Sequence, residues 1–211
     1  MGTLWDTRFE NDFIALEKWL YGKQSLTGAT RQWFVDEVRK WPKGTSLLDA
    51  GCGGGVTAYH LAENKLLDNI TYTGIDGSTC MLKLAKTKVK HSNVHWVQSA
   101  LDTLSCADTF DKVLLRAVIE HNLDPCPVLI SVANTVKPGG ILYVIFWNNP
   151  VFTGKAKIKK TKDGFYDNSH CMKLVTKTLK DCGMTLTHKE FIKEQSENSD
   201  ERFIVMFKKD V

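Results

Sequence analysis

The chain has 211 residues, 43% of them hydrophobic and 25% charged, with 28 Lys plus Arg against 24 Asp plus Glu. That length and balance fit one folded domain with a substantial core and speak against a disordered chain; the formal charge of +4 is a milder excess than nucleic-acid binders commonly carry. The six cysteines (Cys52, Cys80, Cys106, Cys126, Cys171, Cys182) form no C-x-x-C pair, which points to reduced thiols rather than zinc or a disulfide framework. No stretch approaches a membrane span and no apolar run follows a basic segment near Met1, so the expected location is cytoplasmic.

In chain order, Phe13, Ile14, Leu16 and Leu20, with Trp19, recur at helical spacing, and Gly22 follows as a stop. Residues 30–41 carry a second amphipathic pattern through Trp33, Phe34, Val35 and Val38, closed by Pro42. The tryptophans of this front segment, Trp5, Trp19, Trp33 and Trp41, favour packing against a larger body. Trp5 and Phe9, near the free end, are candidates for lining a pocket. Residues 1–43 are therefore expected to form a helical extension or lid on a main domain of residues 44–211.

Leu47 and Leu48 lead into Asp49, Ala50, Gly51, Cys52, Gly53, Gly54 and Gly55, so an apolar run ends in an acid and then in four glycines among five residues. A parallel strand buried on both faces reads as a short hydrophobic run, and glycines straight after it let the backbone turn tightly and approach a ligand. The helix predicted over residues 56–66 would add unpaired N–H groups and a positive dipole end. Such a loop suits a nucleotide-like ligand. The dinucleotide fingerprint G-x-G-x-x-G would need a glycine where the chain has Val56, which disfavours an NAD-binding oxidoreductase. The alternative pattern, acid-x-G-x-G-x-G, is met by Asp49, Gly51, Gly53 and Gly55.

Residues 70–76 alternate like a strand and end in Asp76, followed by Gly77. This acid lies about twenty residues past the glycine loop, where open α/β sheets place a carboxylate to accept from a ribose diol. It could instead cap the helix predicted over residues 79–90, as could Ser78. Residues 94–97 form a third strand, trailed by Gln98, Ser99, Ala100, Leu101 and Asp102. Residues 110–115 form a fourth, trailed by Arg116, Ala117, Val118, Ile119, Glu120 and His121; Asp124 and Pro125 then open a helix to about residue 136.

Lys137, Pro138, Gly139 and Gly140 make a turn by composition, and residues 141–147 are an apolar run fit for a central strand. Asn148, Asn149 and Pro150 then fall on the ligand-binding edge of a parallel sheet. Residues 152–168 are polar and basic, with Lys155, Lys157, Lys159, Lys160 and Lys162 beside Phe165 and Tyr166. They read as a solvated, substrate-side loop, or alternatively as a clamp on a phosphate backbone. Residues 169–182 predict a helix with Leu174, Val175 and Leu179 inward, stopped by Gly183; residues 185–192 and 202–208 alternate as two antiparallel strands.

The acid-x-G-x-G-x-G run, Asp76, the pair Glu120-His121 followed by Asp124-Pro125, and the turn at Lys137-Pro138-Gly139-Gly140 together resemble the class I S-adenosylmethionine (SAM)-dependent methyltransferases, particularly the O-methyltransferases of ubiquinone biosynthesis. The resemblance covers the chain from about residue 45 to its end. It implies an α/β fold of three layers: a Rossmann-like, seven-stranded, mostly parallel sheet with an antiparallel C-terminal strand and helices on both faces. It implies SAM as cofactor, S-adenosylhomocysteine as product, and cofactor contacts from Asp49, Ala50, Gly51, Cys52, Gly53, Gly55, Asp76, Gly77, Ser99, Ala100, Leu101 and Arg116. Ser99 stands where the family usually has an acid for the adenine amino group. Ala117 stands at the first of two acids that accompany the histidine in the ubiquinone enzymes, so no metal is expected.

Methyl transfer from a sulfonium chiefly needs alignment of acceptor, methyl and sulfur, with a general base only for a protonated acceptor. His121, with an unperturbed pKa near 6.5 for its residue type, is the candidate base. Trp5, Phe9, His121, Asn148 and Tyr166 are the candidate substrate-side residues. The expected function is methylation of a small molecule at O, N or C by a monomer or homodimer. The alternatives are RNA or protein methylation through the lysine-rich stretch 155–162, and a non-catalytic SAM-binding module.

Overall fold

The computed structural model describes residues 4–9, 12–21, 28–104, 109–148, 168, 170–193 and 201–211. Its sheet is built outward from β1 (Thr45–Ala50), which is buried along almost its whole length. Burial on both faces is why Leu47 and Leu48 are consecutive apolar residues rather than alternating with polar ones. β2 (Ile70–Asp76) and β4 (Phe110–Arg116) flank it in parallel. β3 (Val94–Gln98) continues in parallel beyond β2, and β5 (Val136–Asn148) beyond β4. β7 (Glu201–Lys209) runs antiparallel to both β5 and β6 (Met184–Lys193). The order is β3-β2-β1-β4-β5-β7-β6, the mostly parallel seven-stranded sheet with an antiparallel last strand that the sequence predicts.

From β1 the chain winds outward to β3 and then returns to β4 on the other side of β1. This reversal opens a crevice beyond the carboxyl ends of β1 and β4, where open α/β sheets hold their ligands. Side chains alternate across the sheet with the two-residue period of a strand. Leu48, Leu115 and Val144 face one core with Leu129 and Val132 of α6 (Cys126–Asn134) and Val175 and Leu179 of α7 (Met172–Asp181). Leu47, Leu114 and Tyr143 face the other with Phe34, Val35 and Val38 of α3 (Ala29–Val38) and Ala58 and Leu61 of α4 (Val56–Glu63). A third cluster joins Leu16 of α2 (Phe13–Tyr21) to Met81 and Leu84 of α5 (Thr79–Lys88), with Trp5 of α1 (Leu4–Phe9) packed on it.

Two local expectations change. The helix predicted over residues 56–66 stops at Glu63, and Lys65 takes a φ of 56° before the 3-10 turn Leu67–Asn69. The segment Lys137 to Gly140 is not a turn ahead of the strand but lies within β5. Phe110 pairs with Val136 and Lys112 next with Ile141, so the extra residues bulge out of the ladder. Gly139 there has a φ of 74°, open to glycine at little cost. None of the helices among the described residues is long and apolar enough to cross a membrane.

Adjacent positions of α6 test the layer assignment, because Leu129 is fully buried while Ile130 is 44% exposed. Leu129→Ala should cost about 2–5 kcal/mol in denaturant unfolding, and Ile130→Ala less than about 0.5 kcal/mol. Equal losses at the two positions would place the core elsewhere.

Candidate functional site

After Ala50 the backbone turns at once, and the amides of Gly51 and Cys52 both donate to the carbonyl of Ile75, at 2.7 and 2.9 Å. Gly51, Gly53 and Gly55 hold φ values of 78°, 53° and 80°, in the left-handed region that favours glycine. What lies beside each glycine differs. A Cβ on Gly51 would stand 2.4 Å from Val118, on Gly54 2.5 Å from Leu20, and on Gly55 2.8 Å from Ala85. On Gly53 it would meet nothing among the described residues closer than the Met81 sulfur at 4.0 Å. Three of these glycines thus admit neighbouring protein, whereas Gly53 faces open space where a ligand can approach the backbone.

Asp76 joins this loop to the next one. One carboxylate oxygen accepts from the Gly53 amide at 2.9 Å and the other from the Ser78 amide at 2.8 Å. Burial pushes its carboxyl above the usual range, while the backbone bonds from Ser78 and Gly53 pull the other way. The capping alternative goes to its neighbour: Ser78 Oγ accepts from the Met81 amide at 3.2 Å at the start of α5. A carboxylate has about four lone-pair directions, so two backbone bonds leave Asp76 able to accept from hydroxyl groups.

The remaining expected cofactor positions gather around this pair. The Ser99 amide donates to the Asp76 carbonyl at 3.1 Å, with Ala100 exposed beside it. Leu101 lies 3.3 Å from the place a Gly51 Cβ would take, and the Gly77 carbonyl accepts from Gln98 at 3.4 Å. Cys52 is buried, its thiol pushed well up by that burial. Asp49 is buried as well and accepts from the Tyr72 hydroxyl at 2.5 Å. Burial raises its carboxyl to about 6, against bonds from Tyr72 and Thr57 and the charge of Arg116. Arg116 ends β4 and donates to Thr30 of α3 at 3.3 Å. His60 of α4 is held down at about 4, first by burial and then by the charges of Arg31 and Arg116.

The front helices grip the loops of this edge. Asp6 Oδ1 accepts from Ser78 Oγ at 2.8 Å, Thr79 Oγ1 at 3.0 Å and the Cys80 amide at 2.9 Å. It therefore caps α5 from a different element, placing negative charge at the positive end of the helix dipole. Next to it, the Trp5 ring stands edge-on to His121 with centroids 5.2 Å apart and stacks on Trp19 at 5.6 Å. The Tyr21 hydroxyl donates to the Gly54 carbonyl at 2.6 Å. Two of the candidate substrate-side residues, Trp5 and His121, are thus in contact at the crevice.

Phe9 is the last residue of α1, and Asn148 is the last of β5, paired with Glu201. Tyr166 and the lysines of stretch 155–162 lie outside the described residues. His121 belongs to the 3-10 turn Ile119–His121, which follows Ala117 at a φ of 53°, an uncommon conformation for alanine that costs about 1 kcal/mol. Asp6 carries no sequence signal for its role, because its partners are 72 to 74 residues away. Asn168 and His170, which donate to the His121 turn, went unnoticed for the same reason.

Asp49 has a readable pH signature. With its carboxyl at about 6, the folded chain keeps a proton that the unfolded chain has already released above about pH 4. The stability tied to this group is therefore present at the acid end and lost as pH rises through about 6. Asp49→Asn cannot ionise, so wild type should lose stability relative to that variant when denaturant unfolding is compared at about pH 4 and about pH 7. Parallel curves would contradict the assignment.

Comparison with known proteins shows what these features resemble. The family described as a methyltransferase domain matches residues 48–144. A ubiquinone biosynthesis O-methyltransferase of Vibrio parahaemolyticus is 29% identical over 187 residues, covering 79% of this chain and 78% of that protein. Matches to other ubiquinone biosynthesis O-methyltransferases span 65% or less of those proteins. Among solved structures, the Burkholderia thailandensis 1,6-didemethyltoxoflavin-N1-methyltransferase, with 1,6-didemethyltoxoflavin and S-adenosylhomocysteine bound, superposes with a TM-score of 0.73 at 13% identity, over 99% of this chain and 88% of that one. The magnesium protoporphyrin IX methyltransferase of Synechocystis PCC 6803, solved with SAM bound, gives 0.71 at 17% identity, over 96% and 94%. The chain has the class I SAM-dependent methyltransferase fold and is related to the ubiquinone-biosynthesis O-methyltransferases among the small-molecule enzymes of that superfamily.

Proposed function

We propose that this chain is a SAM-dependent methyltransferase that transfers a methyl group to a small-molecule acceptor at an O, N or C nucleophile. The observation that carries the reading is the join between Gly53 and Asp76: a glycine whose Cβ side is open among the described residues, its amide donating at 2.9 Å to a carboxylate at the tip of the adjoining strand. This is a cradle for a nucleoside. In it the Asp76 oxygens accept from the ribose diol, Gly51, Cys52, Gly53 and Gly55 line the loop, and Gly77, Ser99, Ala100 and Leu101 border the adenine. Asp49, Ala50 and Arg116 support the loop from β1 and β4. Residues 1–43 act as the lid and residues 44–211 as the catalytic body. The curated relative named for O-methyl transfer and the neighbours holding SAM or S-adenosylhomocysteine support the choice of cofactor.

When bound, SAM supplies a methyl group that is already activated. The chain's own work is therefore to align the acceptor and keep water out. Trp5, packed between Trp19 and His121, forms an apolar wall beside the reacting groups. His121 takes the proton of an acceptor O–H or N–H through its imidazole.

Calorimetry tests the cofactor half. Asp76→Ala and Gly53→Val should each weaken SAM binding by at least about tenfold, the former through lost hydrogen bonds and the latter through a side chain forced into the ligand's space and into a positive φ. Circular dichroism should stay native; wild-type affinity in both variants would remove the site.

The acceptor half is tested with SAM carrying a labelled methyl group and fractionated cell extract. Label should enter the small-molecule fraction, and His121→Ala should slow it by about a hundredfold or more at unchanged SAM affinity. Label confined to RNA or protein would contradict a small-molecule acceptor, and unchanged turnover in the variant would end the base role.

A further inference from the structure

The turn that carries His121 is fastened by two buried side chains that the reaction itself does not use. Within the turn, the His121 amide donates to the Val118 carbonyl at 3.0 Å and the Asn122 amide to that of Ile119 at 3.1 Å. The other donors come from a distant part of the chain. The Asn168 amide donates to the Glu120 carbonyl at 2.8 Å, and its side-chain Nδ2 to the Asn122 carbonyl at 2.8 Å. His170 Nε2 reaches the carbonyls of Ile119 at 2.7 Å and Asn122 at 3.1 Å. Both partners of that nitrogen are carbonyl acceptors, so Nε2 carries a proton and donates to them.

Asn168 and His170 are 1% and 4% exposed. Burying such polar groups is unfavourable unless their hydrogen bonds are made, and the bonds from these two side chains converge on one turn. The turn is tied down on its other sides too. The Glu120 carboxylate lies 3.6 Å from Arg202 of β7, and Val118 packs against Gly51 of the glycine loop. A backbone held at Ile119, Glu120 and Asn122 leaves the His121 ring little freedom except rotation of its own side chain, and Trp5 stands against that ring.

We propose that Asn168 and His170 are positioning residues: by donating to the carbonyls of Ile119, Glu120 and Asn122 they fix the turn that presents His121 to the acceptor. The proposal rests on the reading of His121 as an acceptor-side group. His170→Leu removes a donor shared by two carbonyls, and Asn168→Ala removes the side-chain bond to Asn122. The bonds removed end on the carbonyls of Ile119 and Asn122 and not on the glycine loop or Asp76, so cofactor affinity is separable from turnover. His170→Gln is the conservative counterpart, since its side-chain amide can place an N–H near the position of the ring Nε2.

The experiment measures kcat, acceptor KM, SAM affinity and amide hydrogen exchange over residues 119–122 in wild type and these three variants. His170→Leu and Asn168→Ala should lower kcat by between about ten- and a hundredfold, while KM and SAM affinity move less than about threefold. Exchange at residues 119–122 should quicken by at least about tenfold, and His170→Gln should recover most of the lost kcat and protection. Wild-type kcat in both disruptive variants overturns the proposal, as does a loss in His170→Leu that His170→Gln fails to relieve. If His170→Leu does not fold, Asn168→Ala decides on the same readouts. Should wild type transfer no methyl group, the methyltransferase reading falls separately, and unchanged exchange in the variants would overturn the clamp itself.

Discussion

The contact on which the candidate site depends is the bridge made by Asp76. Its two oxygens accept from the amides of Gly53 and Ser78, so one carboxylate at the tip of β2 sets the loop after β1 against the start of the helix after β2. A buried acid is unfavourable unless charge-assisted hydrogen bonds compensate its desolvation, and the raised carboxyl of Asp76 records that tension. The bridge also explains the division among the glycines. Gly51, Gly54 and Gly55 make room for Val118, Leu20 and Ala85, while the Cβ side of Gly53 is open among the described residues.

The front helices extend the same logic to the acceptor side. Asp6 adds a second carboxylate next to the first and is stabilised there by three donors and the dipole of α5. Because Trp5 is adjacent in sequence, anchoring Asp6 also sets where the Trp5 ring meets His121. Tyr21 meanwhile bonds the Gly54 carbonyl, so α1 and α2 each hold a different loop of the crevice. The front helices are thus fastened to the sheet edge at several points, by bonds that each contribute about 0.5–1.5 kcal/mol net.

Much of this was legible in the sequence where physics is local. The strands follow from short periodic runs, their arrangement in one sheet is implied by the resemblance, and the acid-x-G-x-G-x-G spacing marks a turn that only glycine adopts cheaply. Composition misled at Lys137 to Gly140, because these residues lie inside β5 as a bulge between its pairs Phe110–Val136 and Lys112–Ile141 with β4. Asp76 illustrates an ambiguity that local reasoning leaves open, because capping and ligand roles call for the same residue type at the same place; the structure gives the cap to Ser78. Asp6, Asn168 and His170 were silent for a different reason. Their partners lie tens of residues away, at positions 78–80 for Asp6 and 119–122 for the other two, and no periodicity connects them.

The most direct measurement is a crystal structure of the chain grown with S-adenosylhomocysteine. The account predicts the ribose hydroxyls within hydrogen-bonding reach of Asp76, at about 2.5–3.0 Å, the ligand backbone passing over Gly53, and the adenine beside Ser99 and Ala100. A ligand seated elsewhere on the sheet, or a nucleoside in the crevice with Asp76 making no bond to it, would contradict it.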